Sequence, residues 1–91
     1  MAVTVRIPTQ LRNLSGGAGE VALESGTVGE VLRALEATHP GFGERLFDDT
    51  GALRRFVNVF VAEEDIRFLD GIDTAVGEGQ VLSIVPAVAG G

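Results

Sequence analysis

Apolar and polar residues alternate through "VTVRIP" at 3–8. Val3, Val5 and Ile7 are set against Thr4 and Arg6, the period of a half-buried strand. "NLSGGAG" at 13–19 is turn material, and "EVALE" at 20–24 alternates again, with Val21 and Leu23 inward and Glu20, Ala22 and Glu24 outward. The two runs predict a hairpin with a flexible connection. "TVGE" at 27–30 fits a capping box, in which Thr27 bonds forward and Glu30 reaches back to the cap. Behind it Val28, Val31, Leu32 and Leu35 fall at i, i+3, i+4 and i+7, one apolar helical stripe, while Glu30, Arg33 and Glu36 face away. "HPG" at 39–41 ends the helix, because proline restricts both itself and the residue before it.

"FGERLFDDTGALRR" at 42–55 reads as a connection with a short helical turn anchored by Leu46, Phe47 and Leu53. "RFVNVFVA" at 55–62 is the strongest strand signal in the chain. Glu63–Asp65 make a charged turn, "IRFL" at 66–69 returns as a short strand, "DGIDTAVGEGQ" at 70–80 is loop, and "VLSIVP" at 81–86 is the last strand. The order is ββαββ, a loop, then β. It predicts an α+β fold of the β-grasp (ubiquitin-like) type: a mixed sheet, one main helix packed on one face, and the last strand beside the first. A ferredoxin-like sandwich is the alternative, and it needs a second substantial helix that the glycine-rich stretch 41–54 is too broken to supply.

Composition changes the picture chiefly by what is missing. The chain has 91 residues, 45% of them hydrophobic and 22% charged, which suits one globular domain with a modest core. There is no cysteine, so disulfides, thiolate metal sites and a cysteine nucleophile are excluded. The seven Lys+Arg residues are all arginine, which removes Schiff-base chemistry and any side-chain amine for chain-building on this protein. A single histidine, His39, makes a histidine metal site within one chain a poor reading. The net charge of −6 speaks against a nucleic-acid surface and favours partners with basic docking patches. No apolar run approaches a membrane span, and Met1 leads into "AVTVRIP" rather than a basic signal-peptide start. The expectation is a cytoplasmic protein, with neither metal nor membrane, and an inventory poor for an enzyme.

The ending "PAVAGG" is then the least ordinary stretch. Folding asks nothing of it: Ala87, Val88, Ala89, Gly90 and Gly91 bury little, and two glycines maximise chain freedom. The tail is idle fraying, or it fits where only a thin strand can go. The division expected is a β-grasp domain at 1–86 and a flexible Gly-Gly tail at 87–91. Five residues span about 17 Å when extended, enough to reach a recessed site while the body docks outside. Pro86, which has no N–H to donate, is expected to stop sheet pairing.

These features together resemble the ubiquitin-like sulfur carriers, the family of the molybdopterin synthase small subunit and the thiamine sulfur carrier. "VTVRIPTQLR", "RFVNVFVAEEDIRFLDG" and "PAVAGG" carry the likeness over nearly the whole chain and look most like the actinobacterial carriers of cysteine synthesis, the CysO type. The resemblance implies that Gly91 is the reactive residue. An E1-like adenylating partner transfers adenylate from ATP to its carboxylate, and a persulfide or sulfide converts it to a thiocarboxylate for a sulfur-accepting, cysteine synthase-like or other, partner. It also implies a carrier with no turnover of its own, holding no permanent cofactor and monomeric when free. A sulfur-handling chain with no thiol can hold transferable sulfur only at its C-terminus.

Docking needs a surface. With Val57, Val59 and Val61 inward, Phe56, Asn58 and Phe60 share the opposite face, and Leu82 and Ile84 inward leave Val81, Ser83 and Val85 outward. Phe56, Phe60 and Val85 are the predicted partner-binding patch, on the face that ubiquitin-like folds use. The opposite parity would bury Asn58 and demand a partner for it. Simpler readings hold elsewhere: Glu63–Asp65 as a solvated turn, Asp48–Asp49 as a turn signal, Arg54, Arg55 and Arg67 as solvated, with salt bridges to an acidic partner as the lesser alternative, His39 as a helix end, and "GEG" at 77–79 as a turn. Within the carrier class the alternative is a molybdopterin synthase small subunit, or a sulfur donor shared by pathways to other thiolated metabolites. Two other classes remain beside the carrier: a protein modifier joined through Gly91 to lysines on other proteins, and a binding module with an inert tail.

Overall fold

The computed structural model describes residues 2–55 and 57–86. Among these residues seven strands and two α-helices follow in the order β1 (Ala2–Arg6), β2 (Glu20–Glu24), β3 (Gly26–Thr27), α1 (Val28–Thr38), α2 (Phe42–Leu46), β4 (Val57–Val61), β5 (Glu64–Asp65), β6 (Ala75–Val76) and β7 (Val81–Pro86). Five of the strands form one mixed sheet in the order β2-β1-β7-β4-β5, and β3 with β6 makes a two-stranded annex. β7 runs parallel to β1 and antiparallel to β4, so the last strand lies centrally beside the first. This is the β-grasp arrangement.

The alternation read in the sequence decides which faces meet. Val3 and Val5 of β1, Val57, Val59 and Val61 of β4, and Leu82 and Ile84 of β7 point to one side and are buried. Val28, Val31, Leu32 and Leu35 of α1 are fully buried against them, and Phe42 and Leu46 of α2 close the end of the same core. The capping box forms as its spacing requires: the Glu30 N–H donates to Thr27 Oγ1 (3.2 Å) and the Thr27 N–H to Glu30 Oε1 (2.9 Å).

Three connections differ from expectation. The β1–β2 link is packed, not flexible. It carries a 3₁₀ turn at Thr9–Leu11, buries Leu11 and Ser15, and is fastened by Arg12 Nε donating to the Ile7 carbonyl (3.1 Å) and Ser15 Oγ to the Ala18 carbonyl (2.7 Å). "IRFL" is not a strand. The chain pairs only at Glu64–Asp65, then turns as 3₁₀ over Ile66–Phe68, because the Asp65 carboxylate accepts the Arg67 N–H (2.9 Å) and only Ile66 has a core to enter. Glu36 does not face solvent alone: it is half-buried and accepts the N–H groups of Gly41 (3.0 Å) and Gly43 (3.1 Å), holding α2 against α1. Gly41 itself has φ of 113°, and a Cβ there would lie 3.0 Å from Leu14, so the sharp exit from α1 needs glycine on both counts.

The stretch 70–80 is loop at its ends only. Residues Gly71–Asp73 turn as 3₁₀, β6 pairs with β3, and the Thr74 carbonyl accepts the Val28 N–H (2.9 Å), which ties the segment to the start of α1.

Candidate functional site

The site is best built from β7, the strand that leads to the C-terminal glycines. Leu82 and Ile84 anchor it in the core, and hydrogen-bonded neighbours hold it on both sides: Thr4, Val5 and Arg6 oppose Val81, Leu82 and Ser83, while Val57, Asn58 and Val59 oppose Pro86, Val85 and Ile84. The root of the tail is therefore in the middle of the sheet, paired on both sides. Pro86 is the last described residue of the strand and stands opposite Val57. Ala87, Val88, Ala89, Gly90 and Gly91, and Phe56 of the expected docking patch, lie outside the described residues.

On the sheet face turned away from the helices, the parity is the one that leaves the valines of β4 inside. Val85 is 46% exposed and stands opposite Asn58; Phe60, half-buried, stands opposite Ser83. Val85 and Phe60 are thus diagonal neighbours on one face, Val85 toward the end where β7 finishes and Phe60 toward the middle of the sheet. An exposed valine beside a half-covered phenylalanine gives apolar area without a core to hide it.

One residue at this end departs from its reading in the sequence. Arg67 Nη2 donates to Asn58 Oδ1 and lies 3.5 Å from the carbonyls of Arg55 and Val57, so a side chain read as solvated is bound across the start of β4. The signal was there: Asn58 is a polar residue in the middle of an apolar strand and needs a partner even when half-exposed.

The other candidates resolve as turns and caps. Asp48 Oδ1 accepts the Thr50 hydroxyl (2.6 Å), the Thr50 N–H (2.9 Å) and the Ala52 N–H (3.2 Å), and the Thr50 hydroxyl is the main cause holding its carboxyl below the ordinary value. His39 is the C-cap of α1, its N–H donating to the Leu35 carbonyl (2.7 Å) and its ring meeting Phe42 edge-on with centroids 6.5 Å apart. "GEG" is a turn in which the Gly77 N–H donates to Gln80 Oε1 (2.6 Å). Arg54 Nε donates to the Glu44 carbonyl (3.0 Å). Among the described residues no three His, Asp or Glu side chains converge as a metal site would require, and no helix is long and apolar enough to cross a membrane.

With that geometry in place, the likeness to known proteins becomes specific. Residues 5–91 match the ThiS family. The chain belongs to the ThiS family. It is 48% identical to the sulfur carrier protein CysO of Mycobacterium tuberculosis over 93 aligned positions, covering all of both chains. A chain of the Amycolatopsis orientalis BexX/CysO complex superposes with a TM-score of 0.93 at 46% identity, covering 99% of this chain and 100% of that one. Small archaeal modifier protein 3 of Haloferax volcanii is 43% identical over 68 residues, 75% of this chain and 73% of its own. The ThiS-family assignment and the full-length match bear out the ubiquitin-like β-grasp reading.

Proposed function

We propose that this chain is a sulfur carrier whose C-terminal Gly91 is the point of attachment, and that it donates sulfur as a thiocarboxylate. The observation that carries the reading is the full-length likeness to a named sulfur carrier, joined to a last strand that brings the chain to Gly91 from the centre of the sheet. The domain division follows: 1–86 is the docking body, 87–91 the part that enters a partner.

The chemistry needs an activated carbonyl, because a carboxylate is a poor electrophile. A Gly91 carboxylate oxygen attacks the α-phosphorus of ATP and pyrophosphate leaves, giving an acyl-adenylate. Hydrosulfide adds to the carbonyl carbon, and AMP departs with the original oxygen. The thiocarboxylic acid loses its proton to the solvent and becomes an anionic sulfur nucleophile. None of these steps uses a side chain of this protein: an E1-like adenylating enzyme supplies ATP and positioning, and the carrier supplies a carbonyl with no Cβ beside it. The acceptor in this reading is an activated amino-acid side chain on a cysteine synthase-like enzyme, as the likeness to CysO suggests. Val85 and Phe60, with Phe56, form the apolar part of the docking face.

Intact-mass measurement of the untagged protein from its own cell, with a thiocarboxylate-specific alkylating agent, tests this. A species heavier by one sulfur minus one oxygen and alkylated at Gly91 is expected. Carboxylate alone, even with ATP, a sulfide source and the activating enzyme present, would sink it. The likeness to an archaeal modifier protein favours a second reading, conjugation of Gly91 to lysines of other proteins. Isopeptide adducts in the same cell would establish that use.

A further inference from the structure

The charges of the sheet layer segregate along the strands. β1 and β4 flank β7. At the end where β7 finishes, Arg12 donates to the Ile7 carbonyl just beyond β1 (3.1 Å), and Arg67 lies against the Val57 carbonyl at the start of β4 (3.5 Å). Two guanidinium groups therefore bracket the strand that becomes the tail. Arg55, exposed and two residues before Val57, adds a third cation, and exposed Arg6 stands opposite Ser83.

The far end of the same sheet is acidic. Glu24 stands opposite Ala2, Glu63 and Glu64 lie at the β4–β5 turn, and Glu78 precedes Gly79, whose N–H donates to the Ala2 carbonyl (3.1 Å). All four glutamates are exposed. On the neighbouring strands two carboxylates are engaged, Glu20 with Arg6 at 3.6 Å and Asp65 with the backbone N–H of Arg67 at 2.9 Å, and on the segment that leads into β4 the Asp48 carboxylate is taken up by Thr50 and Ala52. A protein of net charge −6 thus presents its minority sign where the tail departs.

We propose that the partner receiving the tail rims its channel with Asp and Glu side chains, and that Arg12, Arg55 and Arg67 dock on that rim and orient the carrier tail-first. This deepens the carrier reading and rests on it. The reacting carboxyl of an inserted tail is up to about 17 Å from Pro86, so these arginines serve encounter and orientation, not the bond-making step. Opposite potentials at the two ends of the body make the tail-first approach favourable and the reversed one unfavourable against such a rim.

The test uses the full-length carrier and the adenylating enzyme purified from the same cell by the ATP–pyrophosphate exchange that the carrier elicits. R55E is the safest single variant, because Arg55 has no side-chain hydrogen bond or ion pair among the described residues. At low salt R55E/R67E should lower kcat/KM about tenfold, with kcat at saturating carrier retained and the deficit closing near about 0.5 M salt. R55E alone should move the same way by less, and E64K/E78K, which touches only the far end, should lose clearly less than R55E/R67E. The inference is overturned if R55E, folded by thermal melting, keeps the parent's kcat/KM and salt slope, if charge reversal improves it, or if E64K/E78K loses as much. Failure of the parent chain to elicit exchange or accept sulfur at all would instead remove the carrier reading.

Discussion

The Glu36 carboxylate accepts the backbone N–H of Gly43 at 3.1 Å, and through it the long helix α1 caps the short helix α2. A five-residue helix cannot be stable by itself, so its geometry depends on this bond, its companion to Gly41 and the burial of Phe42 and Leu46. E36A should lower the unfolding free energy by about 1 kcal/mol, the usual cost of losing an N-terminal cap. A Cβ at Gly43 would fall 2.8 Å from Glu36 Oε1, so G43A should be less favourable in the parent than in an E36A background, where alanine's helix preference is unopposed. Urea titration of the four-member cycle measures the coupling.

Acid should weaken the fold through two surface carboxylates. The Thr27 N–H bonded to Glu30 is the main cause holding that carboxyl below its ordinary 4.5, and the Thr50 hydroxyl does the same for Asp48 below 3.8. With folded values depressed, the unfolded chain binds protons more readily, so the contribution is complete above the ordinary values. It is lost as pH falls through the folded ones. Urea midpoints taken downward from about pH 6 should therefore decline below about pH 4.5, and E30Q and D48N should each flatten part of that decline.

Much of this was legible because alternation and helical spacing report directly on burial. Val28, Val31, Leu32 and Leu35 line one helical stripe and are all buried, and the odd-numbered valines of β4 are inside as their pattern requires. What escaped was set by tertiary or side-chain bonds that periodicity does not record. "IRFL" has the β-branched and aromatic content of a strand, yet Asp65 turns the chain and Phe68 is left 83% exposed. The buried Phe42 sits in a stretch dominated by glycine and charge, where a single aromatic gives no period. Arg67 and Asn58 are nine residues apart and meet only because the β4–β5 hairpin folds back.

That hairpin turn is strained. Val61 pairs with Glu64, so the loop is two residues, Ala62 and Glu63, and both have positive φ, 50° and 74°. Such a turn suits Asn-Gly, which tolerates the left-handed region; alanine and glutamate pay about 1 kcal/mol or more each to enter it. A62N/E63G should raise the unfolding free energy by about 1 kcal/mol with no change in sulfur loading, since the turn lies at the end of the sheet away from the tail. A destabilised double variant in thermal and urea unfolding would mean the turn's present side chains make compensating contacts.

Adjacent residues of β7 should separate stability from docking. Ile84 is buried and Val85 is 46% exposed, one residue apart on opposite faces of the same strand. I84A opens a cavity in the core and should lower the unfolding free energy by about 2–5 kcal/mol. Below its melting temperature its folded population should still be activated with the parent's KM. V85D places a charge on the solvent-facing side, where it costs folding little, but in a docked complex it would lose its water beside Phe60 and replace apolar contact area with a carboxylate. It should raise the KM for the adenylating enzyme at least about tenfold while leaving kcat and the melting temperature close to the parent's. The reverse pattern, V85D unfolding the protein with KM unchanged, would place the docking surface elsewhere than on this face of the sheet.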